Sequence, residues 1–133
     1  MIASERLIEA IGYPQDEVSP AGGARVLKVD GWRLKVWEER GRLVMGRHLG
    51  EVSDEALHRL ATLATGRLLR EEAVLAWDPE AGEPLLWQAV AADAPAPTLK
   101  LAFEAFCTSA DWWAARLDEN TPGATVPGMV IRP

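Results

Sequence analysis

The chain reads as an α+β domain, an antiparallel sheet of about five strands with three helices in the order α-β-β-β-α-β-β-α. Three observations predict it. The hydrophobic period changes from helical to alternating at Ala24 and returns to helical after Ser53. Asp30-Gly31, between two β-rich runs, is one of the strongest two-residue hairpin signals. "VLAWDPEAGEPLLWQAV", residues 74–90, sets two apolar runs around a turn of Asp, Pro, Glu, Ala and Gly.

Taken in order, residues 2–11 place Leu7, Ile8 and Ile11 at helical spacing, with Ser4 and Glu5 suited to the first turn. Gly12 and Pro14 stop that helix, and "PQDEVSPAGG" is a loop by composition. "ARVLKVDGWRLKVWEE" is then a hairpin, "RGR" at 40–42 a second turn, and "RLVMGRHL" a third strand. Alternation sorts Trp32, Leu34 and Val36 to one face of the sheet and Arg33, Lys35 and Trp37 to the other. If the first set faces the core, Trp37 faces outward. Ser53 is a good N-cap, followed by Asp54 and Glu55 where carboxylates favour the positive helix end. Leu57, Leu60, Ala61, Ala64 and Leu68 form one apolar stripe on this middle helix. After the 74–90 hairpin, "ADAPAP" breaks the chain. A long helix then carries Leu99, Ala102, Phe103, Phe106, Ala110, Trp113 and Leu117 towards the core. Residues 1–117 make a single domain, and 118–133 a C-terminal tail without regular period.

The 133 residues include 20 acidic and 14 basic ones, a net charge of −6, and the pI is near 4.9. Such a surface repels phosphate backbones and shows no basic run, which argues against nucleic acid as a partner. No stretch approaches the ~20 apolar residues a membrane span requires. Cys107 stands alone and cannot form an internal disulfide; its place in an apolar helical pattern predicts a buried thiol in a reducing cytoplasm. His48 and His58 belong to no metal-ligand spacing, so neither a metal nor a cofactor is expected. No serine sits in a nucleophile elbow, and Gly22-Gly23 leads into a strand, not into the helix a phosphate cradle needs. The paired acids Glu38-Glu39, Asp54-Glu55 and Glu71-Glu72 point apart along their elements and cannot share a proton. Nothing here argues for an enzyme. The surplus lies in six tryptophans, at positions 32, 37, 77, 87, 112 and 113. One small core cannot readily enclose six indoles of roughly 150–250 Å² each, and tryptophan is enriched at interfaces.

The hairpin at 74–90, the Pro/Ala-rich break and "LKLAFEAFCTSADWWAARL" resemble the penultimate hairpin and C-terminal helix of the CesT-like class I type III secretion chaperones. Upstream, the helix ending near Gly-x-Pro, the three-strand meander and the Leu-rich middle helix resemble the same family in pattern, over about residues 3–117. The chain departs from it at "VSPAGGARV", where many members carry an acidic segment. The resemblance implies a cytoplasmic bacterial homodimer without chemistry of its own. Its dimer contact would involve Leu57, Leu60, Ala61, Ala64, Val74, Leu75 and Trp77. Its client would be the N-terminal segment of a secreted effector, bound in extended form at grooves on the first helix (Leu7, Ile8, Ile11) and the meander (Leu34, Val36, Trp37, Met45). The secretion ATPase is a further partner in that reading. Two alternatives stay open: a regulatory partner-switch protein of the same fold, and a small enzyme assembled from scattered residues such as His48, Glu38 and Cys107.

Overall fold

The computed structural model describes residues 2–67 and 72–120, and of 118–120 the backbone alone. Helix α1 spans Ala3–Ala10, and a single 3-10 turn follows at Gln15–Glu17. The strands are β1 (Ser19–Ala21), β2 (Ala24–Val29), β3 (Trp32–Glu39) and β4 (Arg42–His48). Helix α2 spans Asp54–Arg67; β5 (Val74–Asp78), β6 (Glu83–Ala91) and α3 (Ala96–Asn120) follow. The sheet is antiparallel throughout, in the order β1-β2-β3-β4-β6-β5. It has one strand more than the sequence predicts. β1 lies in the segment read as a loop, paired with β2 through Ser19↔Val26 and Ala21↔Ala24. Its three residues are too few to show a period, and Pro20 belongs in a strand only at an edge, where this one lies.

The turns follow from backbone sterics. Asp30 and Gly31 have φ of 47° and 88°, and Arg40 and Gly41 have 52° and 77°, so each hairpin closes on two consecutive left-handed residues. That geometry matches the strand twist, and it explains Asp-Gly at one turn. At the other, Arg40 takes the left-handed position with only its neighbour relieved by glycine. Helix α1 is closed just beyond its end by Gly12, at φ 72°, with the Tyr13 N–H donating to the Ile8 carbonyl at 3.1 Å. Helix α2 begins as predicted, the Ser53 hydroxyl accepting the Ala56 N–H at 3.1 Å.

One core lies between a single sheet face and the three helices. Leu27, Leu34, Val36, Leu43, Met45 and Leu86 of the sheet pack with Leu7 and Ile8 of α1, Leu60 of α2, and Leu99, Phe106, Ala110 and Trp113 of α3. The α3 stripe falls where its periodicity puts it, Phe103 and Leu117 completing it as half-buried flanks. Polar contacts lock the layers. The Glu38 carboxylate accepts the Ala3 N–H at 2.9 Å, satisfying an orphan donor at the start of α1. Arg6 donates to the Ala92 carbonyl at 2.8 Å and also to that of Ala94, tying α1 to the entry of α3. Residue Leu68 of the predicted α2 stripe and the tail from 121 onward lie outside the described residues. α3 itself continues past Leu117, to Asn120.

Candidate protein-docking surfaces

The residues that a scattered enzyme site would need are spent elsewhere. His48 Nε2 lies 2.8 Å from Asp78 Oδ2, pinning the end of β4 to the β5–β6 turn. This bond, then the Ala81 N–H, hold the Asp78 carboxyl below its ordinary value. The clamp is therefore present above the ordinary carboxylate range and lost on acidification through that lowered value. Glu38 caps α1. Cys107 is half-buried, not buried outright, and desolvation followed by the Asp111 charge pushes its thiol up from 9.0 to about 11. A thiol raised that far is a poor nucleophile near neutrality. Iodoacetamide should accordingly label the folded protein about 100-fold more slowly than the urea-unfolded chain at pH 8. Equal rates would mean that α3 leaves the thiol in water. Among the described residues no group of three His, Cys, Asp or Glu side chains is placed to hold a metal.

The tryptophans divide by environment. Trp113 alone is fully buried, at 2% exposure. Trp32 is half-buried, packing on Phe106 with ring centres 6.3 Å apart, and the Arg47 guanidinium stacks 4.5 Å above it. Trp112 carries two such cations over its ring, Arg67 at 3.8 Å and Arg116 at 4.4 Å. Trp37 and Trp87 sit half-buried on the sheet face opposite the helices, as the alternation predicts for Trp37. Trp77 is 50% exposed.

Trp77 marks the first surface. With Leu57, Ala61, Ala64, Leu75 and Pro84 it lines a groove of about 330 Å³ between α2 and β5. Five residues expected at a dimer contact (Leu57, Ala61, Ala64, Leu75 and Trp77) thus converge on one apolar concavity. Two do not. Leu60 has no accessible surface and belongs to the core. Val74 pairs with Trp87, and the pleat turns both away from the groove. The helix explains the first departure. Its apolar residues form two stripes about 100° apart, Ala56-Leu60-Leu63 turned inward and Leu57-Ala61-Ala64 turned to the groove.

A second concavity, of about 360 Å³, runs between the start of α1 and β1–β3, lined by Ile2, Ser4, Val18, Pro20, Arg25 and Trp37 among others. Most residues expected to hold a client do not reach it. Leu7, Ile8, Leu34, Val36 and Met45 have zero exposure and are consumed by the core. Leu34, Val36 and Met45 share one sheet face, which α1 and α3 cover, and Leu7 and Ile8 are on the α1 side of that contact. Ile11 keeps partial exposure while packing on the core, and Trp37 is the expected client residue that lines the groove. Ile2, the residue before α1, also lines the groove and is 48% exposed.

No family model matches the chain, and none of the curated proteins matches it. Solved structures do. A chain of the HopA1–SchA chaperone–effector complex superposes with a TM-score of 0.65 at 20% identity, over 82% of this chain and 88% of that one. The Yersinia pestis type III secretion chaperone SycH, in complex with a stable fragment of YscM2, gives 0.55 at 19% identity, over 86% and 96%. This is the chaperone fold. The ExoT–SpcS complex from Pseudomonas aeruginosa gives 0.63 at 21% identity, over 83% and 92%. At 19–21% identity the likeness is one of fold, shared by this chain over more than four fifths of its length with each of these chaperone complexes.

Proposed function

We propose that this chain is a type III secretion chaperone of the bacterial cytoplasm, a CesT-like homodimer that binds the N-terminal segment of an effector in extended form and keeps it export-competent. The observation that carries the reading is the α2–β5 groove with Trp77 half-exposed at its rim, in a fold shared with SchA and SycH. An apolar groove and a large exposed ring on one surface are self-complementary under a two-fold axis, each protomer offering the same patch. Ala61 and Ala64 let two α2 helices approach closely.

The client occupies the other concavity, anchored on Ile2 and Trp37. Backbone pairing at the β1 edge contributes little, because that edge is three residues long and Pro20 has no N–H to donate. Side-chain anchoring therefore does most of the binding, and its area offsets the ordering of a disordered segment. The work is recognition, with no bond made or broken, and handover to the secretion ATPase follows. The test is capture: tagged protein should retain a secreted effector from its own cytosol, identified by mass spectrometry and lost when the effector's N-terminal segment is deleted. Capture of a transcriptional anti-activator alone, with secretion-gene expression altered on deletion, would favour the regulatory alternative.

A further inference from the structure

The sheet face opposite the helices has a charge pattern that the acidic composition hides. All three helices contribute to the core on one face, so the other carries no helix among the described residues. Across it, Lys28 on β2 stands directly opposite Arg33 on β3, and Lys35 follows two residues along the same strand. Like charges directly opposite one another destabilise a sheet. Among the described residues none of the three makes a salt bridge: the carboxylates that share this face lie at its margins, Glu39 at the far end of β3 and Asp78 and Glu83 at the β5–β6 end, where His48 engages Asp78. Beneath Lys35 lies a concavity of about 520 Å³ floored by Val26 and Gly46. Gly46 is a requirement, not a vacancy. A Cβ there would come within 3.0 Å of the Trp37 ring, so glycine lets the indole lie flat across β4. The Lys35 ammonium sits 5.9 Å from the centre of that ring.

We infer that this face is a specificity surface for an acidic, extended segment of the client, with acidic residues at two alternate positions and an aromatic or large apolar residue at the next. The inference rests on the chaperone reading for the source of the segment. Its spacing comes from strand geometry. Arg33, Lys35 and Trp37 repeat every two residues, about 6.8 Å apart, and alternate side chains of an extended peptide laid along β3 repeat at the same distance. Two carboxylates then meet Arg33 and Lys35, with Lys28 flanking, and the third side chain lands on Trp37. Charge complementarity disfavours the other occupants. Residues 121–133 of this chain hold one arginine and no acid, and the net charge of −6 opposes a nucleic acid longer than the patch.

Nuclear magnetic resonance titration of the full chain with a peptide of about nine residues, Ser-Gly-Asp-Ser-Asp-Ser-Phe-Ser-Gly, tests this. The expected result is amide shifts at Val26, Arg33, Lys35 and Gly46. Affinity should fall about tenfold in the Asp-to-Asn peptide, in Lys35→Glu, and between about 50 and 500 mM NaCl. A Lys-for-Asp peptide should recover binding on Lys35→Glu. Equal affinity for the Asp and Asn peptides, shifts confined to α1 or α2, or no binding overturns the inference. So does tighter binding of single-stranded RNA of equal length, or occupation of the face by a second copy. Effector capture separates the two readings. Unchanged capture by Arg33→Glu/Lys35→Glu removes this surface and leaves the chaperone function standing, whereas no capture by wild type removes the function while the titration still reports on the face.

Discussion

Ala61→Arg should turn the purified protein from a dimer into a monomer at micromolar concentration, with its circular dichroism unchanged. Ala61 is exposed on the outward stripe of α2 and lines the groove with Trp77, so the fold of one protomer tolerates a longer side chain there. At a two-fold seam the same substitution places two guanidinium groups against each other with no carboxylate in the groove. An unpaired charge buried at a contact costs about 3–5 kcal/mol, or roughly two to nearly four orders of magnitude in dissociation constant. Trp77→Ala should act more mildly. Removing an aromatic anchor from the centre of an interface costs about 2 kcal/mol or more, roughly thirtyfold. Analytical ultracentrifugation across a concentration series reads both. Wild-type behaviour in the two variants would place the seam elsewhere.

Trp113→Ala should lose about 3–5 kcal/mol of folding stability, a large part of the ~5–15 kcal/mol a domain of this size possesses. The ring is 2% exposed, closes the core beneath the middle of α3, and meets Trp112 edge-on with centres 5.0 Å apart. Leu101→Ala, on the same helix but 66% exposed, should stay within about 0.5 kcal/mol. Urea denaturation of both variants at one protein concentration makes the comparison. A loss below about 1.5 kcal/mol at Trp113 would mean that α3 contributes less to the core than its burial implies.

Much of this arrangement was legible before the structure because backbone chemistry restricts it. Asp-Gly announces left-handed turn residues, "RGR" announces a turn, Ser53 announces a helix start, and the α3 stripe shows its buried side through a 3.6-residue period. β1 was not legible, since a three-residue edge strand containing proline has neither period nor propensity. The α2 stripe was read as one band because Leu57, Leu60, Ala61 and Ala64 lie on adjacent turns. Two faces 100° apart become distinct only when β5 and the core claim one each. Several residues expected to hold the client lie in the core for a related reason. Alternation in "WRLKVWEE" separates two faces without saying which one the helices cover. The covered set, Leu34 and Val36, became core, and the set carrying Arg33, Lys35 and Trp37 became surface. Six tryptophans did signal more than a core, and only Trp113 is fully enclosed.

The measurement that bears most directly on function is light scattering, with amide hydrogen exchange, on the complex formed with the captured effector's N-terminal segment. A chaperone of this design should give two copies of the chain per segment. Protection should increase at Trp37 and the start of α1, and the segment's own amides should remain largely exchangeable away from its contacts. A single copy of the chain bound to a compactly folded, protected client would contradict it.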